Sequence, residues 1–439
     1  MERVWTTQLG AHIGERVRIA GWLHRLRQLS NLSFLVVRDG QGLAQVVVED
    51  PALIARLAEL HAETVLAIEG VVVAEPQAPG GVEIHQPTVE VLAAAVAPPP
   101  FDLFRPAIKA QLPTFLDHAP VGLRHPRQRA IFRVAAASMA GFRAALTALQ
   151  FVEIQTPKIV GAATEGGANV FRLDYFGQPA YLSQSPQLYK QIMVGVFERV
   201  FEVGPAFRAE PHDTPRHANE FVSLDVELGF IRDHFEVMAV LNRALAGMVA
   251  AIAEQCQPEL ALLGARRGEA LALPQVPAAI PTIHFADALE MISRATGEDL
   301  RGEPDLAPAH ERWLGEWAQR EHHSDFLFVW GYPTAKRAFY THPDPARPGY
   351  SRGFDLLFRG LELVSGGQRL HHYSDYLAVL AERGMNPASF GGYLEAFKHG
   401  MPPHGGFAIG LERWVARLVE VPNIRETTLF PRDLTRLTP

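Results

Sequence analysis

The chain has 439 residues, 48% of them hydrophobic and 20% charged, with 41 basic against 48 acidic side chains for a formal net charge of -7. At about 150 residues per domain this means two or three domains, and the composition excludes wholesale disorder, a coiled coil and a uniformly basic nucleic-acid coat. The single cysteine, Cys256, excludes a disulfide framework and a thiolate metal cluster.

The N-terminus, MERVWTTQLG, lacks the layout of a secretory signal, and no uncharged apolar run reaches the ~18–20 residues of a membrane span. A soluble, cytoplasmic protein without a membrane partner is expected. In chain order, Val17–Leu23, Phe34–Arg38, Leu43–Val48, Val65–Val73 and Val89–Leu92 read as strands, being rich in β-branched residues and bounded by Gly, Asp or Pro. Pro51–His61 carries apolar residues at helical spacing behind an opening proline. Five strands with a helix after the third predict an OB-fold barrel over residues 1–97, a fold that commonly binds single-stranded nucleic acid. Five arginines between Arg16 and Arg38, with only Asp39 following, lie on its first two strands.

The run AAAVAPPP (93–100) marks a stiff boundary, and closely spaced prolines make 98–125 a hinge. Arg127–Leu149 predicts a long amphipathic helix feeding a strand at Phe151–Thr156. Irregularly alternating strands and helices then make 126–439 one large mixed α/β domain.

Three segments of this domain concentrate polar groups beside strand-like runs. They are QSPQLYKQ (184–191), FRAE with RHANEF (207–210 and 216–221), and Asp355 to Arg369 followed by GLER (410–413). An arginine on a strand, an Arg/His loop and an arginine opening a helix suit a triphosphate, because guanidinium forks match phosphate oxygens. Structural salt bridges would explain any one of these arginines about as well. The adjacent pairs His322-His323 and His371-His372 do not suit zinc, since neighbouring side chains point apart.

Phe207-Arg208-Ala209-Glu210 with His217 and Phe221 resembles motif 2 of the class II aminoacyl-tRNA synthetases, and Gly406–Arg413 resembles motif 3. The long helix with Phe151–Pro157 resembles motif 1, a dimer element in that family. With QSPQLYKQ, SGGQR and KHGMPPHGGFAIGLER, the whole chain resembles the aspartyl-tRNA synthetases of the shorter, archaeal type. Two positions depart from the pattern: Gln150 and Ala408 each stand where glycine is usual.

The resemblance implies an N-terminal OB-fold joined to a class II catalytic domain built on an antiparallel sheet, working as a homodimer on L-aspartate, ATP, Mg²⁺ and tRNA. Arg208 would bridge the α-phosphate and the substrate carboxylate, and Arg413 would hold the far end of the triphosphate. Glu210 would accept from the adenine amino group, Phe221 would stack on the ring, and Arg216 and His217 would reach the outer phosphates. Glu362 also belongs to the ATP set, with Gly410 at the helix start, and Glu362 and Ser365, with Asp355 nearby, would ligate Mg²⁺. Lys190 and Arg369 would face the side-chain carboxylate, with Asp225 orienting both, Ser185, Gln187 and Glu165 would hold the ammonium, and Ser365 also belongs to the aspartate set.

On the OB-fold, Phe34 would stack on the central anticodon base and Gln45 would hydrogen-bond it. His24 and Pro79 resemble the relaxed enzymes that accept both tRNA(Asp) and tRNA(Asn), where stricter relatives carry Trp and Lys; the competing view is neutral variation in a solvent-exposed loop. Three rivals remain: an asparaginyl enzyme, a tRNA-free ligase, and an inactive RNA-binding module.

Overall fold

The computed structural model describes residues 2–30, 32–161, 169–211, 214–265 and 268–438. It divides into two compact units, Met1–Pro126 and Arg127–Pro439.

The first unit is a closed barrel of β1 (Arg16–Gln28), β2 (Ser33–Arg38), β3 (Leu43–Val48), β4 (Val65–Ala74) and β5 (Val82–Ala93), in the order β1-β2-β3-β5-β4. Each expected strand is present, and β1 and β5 run longer than their apolar cores suggested. Strand β1 is long because its first half pairs with β4 and its second half with β2, the two joined at a bulge between Leu23 and Arg25. Alternation puts Ile19, Leu35, Val37, Val46 and Ile68 inside, each fully buried. The helix Pro51–Ala58, capped by Asp50 accepting from Ala52 N–H, adds Leu57 to that core.

Residues 98–125 lie in the first unit and hold two short helices, Leu112–Asp117 and Ala119–Gly122. Buried Glu63 ties this segment to the barrel, accepting from Arg38 Nη2 at 2.7 and 2.9 Å and from Arg124 Nη1 at 3.0 Å.

The second unit is built on an eight-stranded sheet. Its strands are β6 (Val152–Glu153), β10 (Arg199–Phe207), β11 (Glu220–Gly229), β12 (Thr282–His284), β13 (Phe326–Trp330), β14 (Gly353–Phe358), β15 (Glu362–Gln368) and β16 (His404–Gly410). Three small strands, β7 (Ile159–Val160), β8 (Arg172–Tyr175) and β9 (Gln178–Leu182), form a separate sheet. The large sheet runs β12-β13-β14-β15-β16-β11-β10-β6, antiparallel from β13 to β10 with one parallel strand at each edge. Only Val152–Glu153 of the strand expected at 151–156 joins the ladder.

One face of this sheet is apolar. Leu224 and Val226 of β11, Val364 of β15 and Phe407 and Ile409 of β16 pack under the helices Pro126–Ala148, His234–Gln255 and Leu411–Leu418. The first two helices are long and apolar enough to cross a bilayer, but about half of each is buried against this core. They approach closely at Gly141, where an added Cβ would lie 2.4 Å from the Gly247 carbonyl oxygen. Period-two alternation turns the intervening residues, Ser223, Asp225, Glu227, Ser365 and Ala408, to the opposite face.

Candidate active site

Strand register assembles the polar face in rows. Asp225, Ala408, Ser365 and Asp355 stand opposite one another across β11, β16, β15 and β14. The next row is Glu227, Gly406, Gly367 and Gly353. Glycine is required at 406: an added Cβ would meet the Glu227 carboxylate oxygen at 2.1 Å.

At one end of these rows lies a cavity of about 330 Å³. Arg208, Glu210, Arg216, His217, Phe221, Glu362, Gly410 and Arg413, the whole set assigned to ATP, line it together with Ser365. The hairpin β10–β11 delivers four of them on its connecting loop, beyond the last ladder pair Phe207–Glu220. Asn219 fastens that loop, its amide nitrogen donating to the Arg208 carbonyl at 2.7 Å. The Arg208 guanidinium lies 5.4 Å from the centre of the Phe221 ring and 3.9 Å from Glu210. Arg413, in the first turn of the helix Leu411–Leu418, donates to the Glu362 carbonyl at 3.0 Å.

The residues assigned to the aspartate side chain, Lys190, Arg369 and Asp225, form a separate, buried quartet with Glu227. Lys190, on the helix Gln187–Phe197, lies 2.9 Å from Asp225 and 3.4 Å from Glu227, and donates to the Phe407 carbonyl. Arg369 donates through Nε to Glu227 at 2.9 Å and through Nη2 to the Gly406 carbonyl at 2.9 Å. Gln187 Oε1 lies 3.5 Å from the same Nη2. Burial pushes the Glu227 carboxyl up, but Arg369 and Lys190 overcome this and hold it below the usual carboxylate range. Among the described residues, Arg369 Nη1 has no hydrogen-bonding acceptor. A guanidinium nitrogen without an acceptor can donate to a carboxylate.

Several expectations change. Asp225 does not orient both cations; it serves Lys190, while Glu227 holds Arg369. Glu227 was legible as the next same-face residue of SLDVEL. Asp355 is not a free metal ligand, because the Arg337 guanidinium grips both its oxygens at 3.0 and 2.8 Å. Arg337 also donates to Ser365 Oγ at 3.0 Å, and nothing in KRAFY announced it. Ser365 lies two strands from Asp225, roughly 10 Å at strand spacing, on the cavity side rather than in the quartet. Ser185 accepts from the Gln187 N–H at 3.2 Å, at the start of the Lys190 helix. Glu165 lies outside the described residues. Glu412, also missed, lines the cavity and accepts the Val222 N–H at 3.0 Å.

On the barrel, Leu35 and Val37 fill the core and Phe34 stays half-buried on the outer face, with the Arg27 guanidinium 5.7 Å from its ring centre. Gln45 donates to Glu83 at 3.0 Å. His24 is not in an exposed loop; it is the bulged residue of β1 and only 6% exposed. Register carries across the barrel from Arg25 to Val36, Gln45 and Glu83, just past the Pro79–Gly81 turn. Phe34 and Gln45 therefore share the outer face, while His24 is buried at the bulge beside Arg25.

A family model for class II tRNA synthetases (D, K and N) matches residues 112–434, and an OB-fold nucleic acid binding domain model matches residues 17–92. The chain belongs to the class II tRNA synthetases. It is 46% identical over its full length to the aspartate--tRNA(Asp/Asn) ligase of Deinococcus radiodurans, 99% of which it covers. It is also 46% identical to that of Thermus thermophilus, with both chains covered completely. Among solved structures, the asparaginyl-tRNA synthetase of Pyrococcus horikoshii with asparaginyl-adenylate superposes at a TM-score of 0.88 and 31% identity, covering both chains.

Proposed function

We propose that this synthetase attaches L-aspartate to both tRNA(Asp) and tRNA(Asn) through an aspartyl adenylate, working as a homodimer. The buried quartet carries the choice of amino acid. The Nη1 edge of Arg369, with Lys190 beside it, would offer an anion two fixed cations. Aspartate and asparagine are nearly isosteric, so charge has to separate them. An amide gives up the charge-assisted contact with these cations, about 1.5–3 kcal/mol or one to two orders of magnitude in binding. This favours aspartate over the asparaginyl reading, although the fold suits both.

With the side chain anchored there, the α-carboxylate reaches toward the cavity, where Arg208 would hold it against the α-phosphate. A carboxylate oxygen bonds to phosphorus, the bond to the β-phosphate oxygen breaks, and pyrophosphate leaves. Two anions are brought together, so positioning and cations suffice without an enzyme nucleophile. Phe221 and Glu210 would hold adenine, while Arg216, His217 and Arg413 would take the outer phosphates. The adenylate then passes its aspartyl group to the 3′-hydroxyl of the terminal adenosine.

Glu362 and Ser365 fit Mg²⁺. Burial, with Asp355 close by, pushes the Glu362 carboxyl up to about 7, a cost that a cation would relieve. Two protein oxygens suit an ion that keeps phosphate oxygens in its shell. Bound Mg²⁺ would neutralise charge on the triphosphate.

On the barrel, Phe34 and Gln45 would read the central anticodon base, and His24 and Pro79 would tolerate either C or U at the third. The test is charging purified tRNA(Asp) and tRNA(Asn) in parallel with labelled aspartate. Comparable rates are expected, and exclusive charging of tRNA(Asp) would refute relaxed specificity. Introducing His24→Trp with Pro79→Lys should lower the tRNA(Asn) rate selectively; equal losses on both would reject discrimination at these positions.

A further inference from the structure

Gln191 closes the QSPQLYKQ segment without a place in the reaction above, yet it is fully buried directly after Lys190. Its amide meets the hydroxyl of Tyr393 in a short contact. The Tyr393 and Tyr376 hydroxyl oxygens are 2.8 Å apart, and Tyr376 donates to the Leu370 carbonyl at 2.9 Å. Leu370 follows Arg369. A buried line of polar atoms thus runs from the neighbour of one pocket cation to the neighbour of the other.

Burial pushes both phenols up, so each keeps its proton as a donor. Tyr393 O–H donates to Gln191 Oε1, which Tyr376 Oη also approaches at 3.3 Å, and Tyr376 O–H donates to the Leu370 carbonyl. With the two hydroxyl oxygens in contact, these bonds form one continuous buried chain, which fixes separation as well as contact. Phe339, Phe390 and Phe397 pack around the chain.

We propose that the Gln191–Tyr393–Tyr376–Leu370 chain is a positioning clamp that sets the spacing of Lys190 and Arg369 and thereby the preference for aspartate over asparagine. It rests on the reading of Lys190 and Arg369 given above. The two tyrosines come from helices that follow Arg369 in sequence, Tyr373–Glu382 and Gly391–Lys398, while Lys190 lies on a helix 179 positions before Arg369. Without the clamp, among the described residues only the Glu227 carboxylate contacts both cations.

The test compares Tyr393→Phe, Tyr376→Phe and the double variant in pyrophosphate exchange, with aspartate and with asparagine, on the full chain. Each single change should raise KM for aspartate and reduce the aspartate/asparagine ratio by roughly tenfold while leaving KM for ATP within about twofold. The double variant should lose no more than either single, because one break disables the chain. Unchanged amino-acid preference with a lowered Tm, or additive losses, would make the tyrosines ordinary packing and overturn the clamp. Lys190→Met separates this from the underlying reading. If wild type exchanges with aspartate and Lys190→Met does not, the pocket stands whatever the tyrosines do. Full aspartate exchange in Lys190→Met would remove the pocket and the clamp with it.

Discussion

The nucleotide cavity and the carboxylate pocket share one face of one sheet, a few strands apart, but hold their cations in opposite ways. In the cavity, the Arg208 side chain is 44% exposed and its nearest carboxylate, Glu210, is 3.9 Å away. In the pocket, Lys190 and Asp225 are 1% and 2% exposed and meet at 2.9 Å. The cavity cations sit on a loop and a helix start, where they can adjust to a large, flexible, highly charged substrate. The pocket cations are already held, each by its own carboxylate, so in the proposed reading the side-chain anion would meet a preorganised site. Selectivity between near-isosteres requires the second arrangement; gripping a triphosphate does not.

The comparison breaks most visibly if one buried cation is removed. Lys190→Met strands Asp225 and should cost about 3–5 kcal/mol of stability as well as abolishing aspartate-dependent exchange, with ATP binding largely intact by calorimetry. Adding Asp225→Asn should restore much of the stability and none of the activity. Stability unaffected by the single change would mean that the pocket is wetter than its burial implies. Arg208→Ala is the converse. Exchange should fall by about 100-fold or more, while stability shifts by less than about 0.5 kcal/mol, because the side chain is exposed and loosely paired. A large loss of stability there would erase the contrast.

The two regions also differ in how far the sequence discloses them. Cavity residues cluster in short segments whose spacing is visible in the chain, so all eight ATP assignments converge on one cavity. The barrel was legible for a similar reason: alternation of Leu35 and Val37 against Phe34 is local information. Pocket partnerships depend instead on register between distant strands. Asp225 and Glu227 are two residues apart, and which of them meets Lys190 or Arg369 is decided by β16 running between β11 and β15. Arg337 reaches Asp355 from a loop preceding β14, a contact that no spacing rule describes. The bulge at His24 is equally invisible, since the strand pattern reads only to Leu23 and no residue there marks a bulge.

A subtler difference is that the cavity tolerates a carboxylate without a cation of its own. Burial pushes Glu412 up to about 7, against an ordinary 4.5, although two contacts from the Val222 N–H partly offset it. Between those values the native state holds a proton that the unfolded chain releases, so this group makes stability fall as pH rises from about 4.5 to 7, with no further change above. Glu412→Gln removes that slope and keeps one acceptor for Val222. The variant should match wild type near pH 5 and exceed it by roughly 1–3 kcal/mol near pH 8 in denaturant titrations. Equal shifts at both pH values would mean that Glu412 is ionised throughout.

The smallest expected effect concerns Gln150, at the end of the helix that supports both sites from behind. Its φ of 65° lies in the left-handed region, and it closes the helix as Phe151 N–H bonds back to Leu146. A side chain there costs about 1–2 kcal/mol, whereas glycine loses about 0.5–1 kcal/mol of extra chain entropy on folding. Gln150→Gly should therefore stabilise the chain by roughly 0.5 kcal/mol, and Gln150→Ala, which keeps the Cβ, should not. Both sites should keep their activity, since Gln150 is exposed and belongs to neither. A gain from alanine equal to that from glycine would trace the effect to the amide rather than to the backbone.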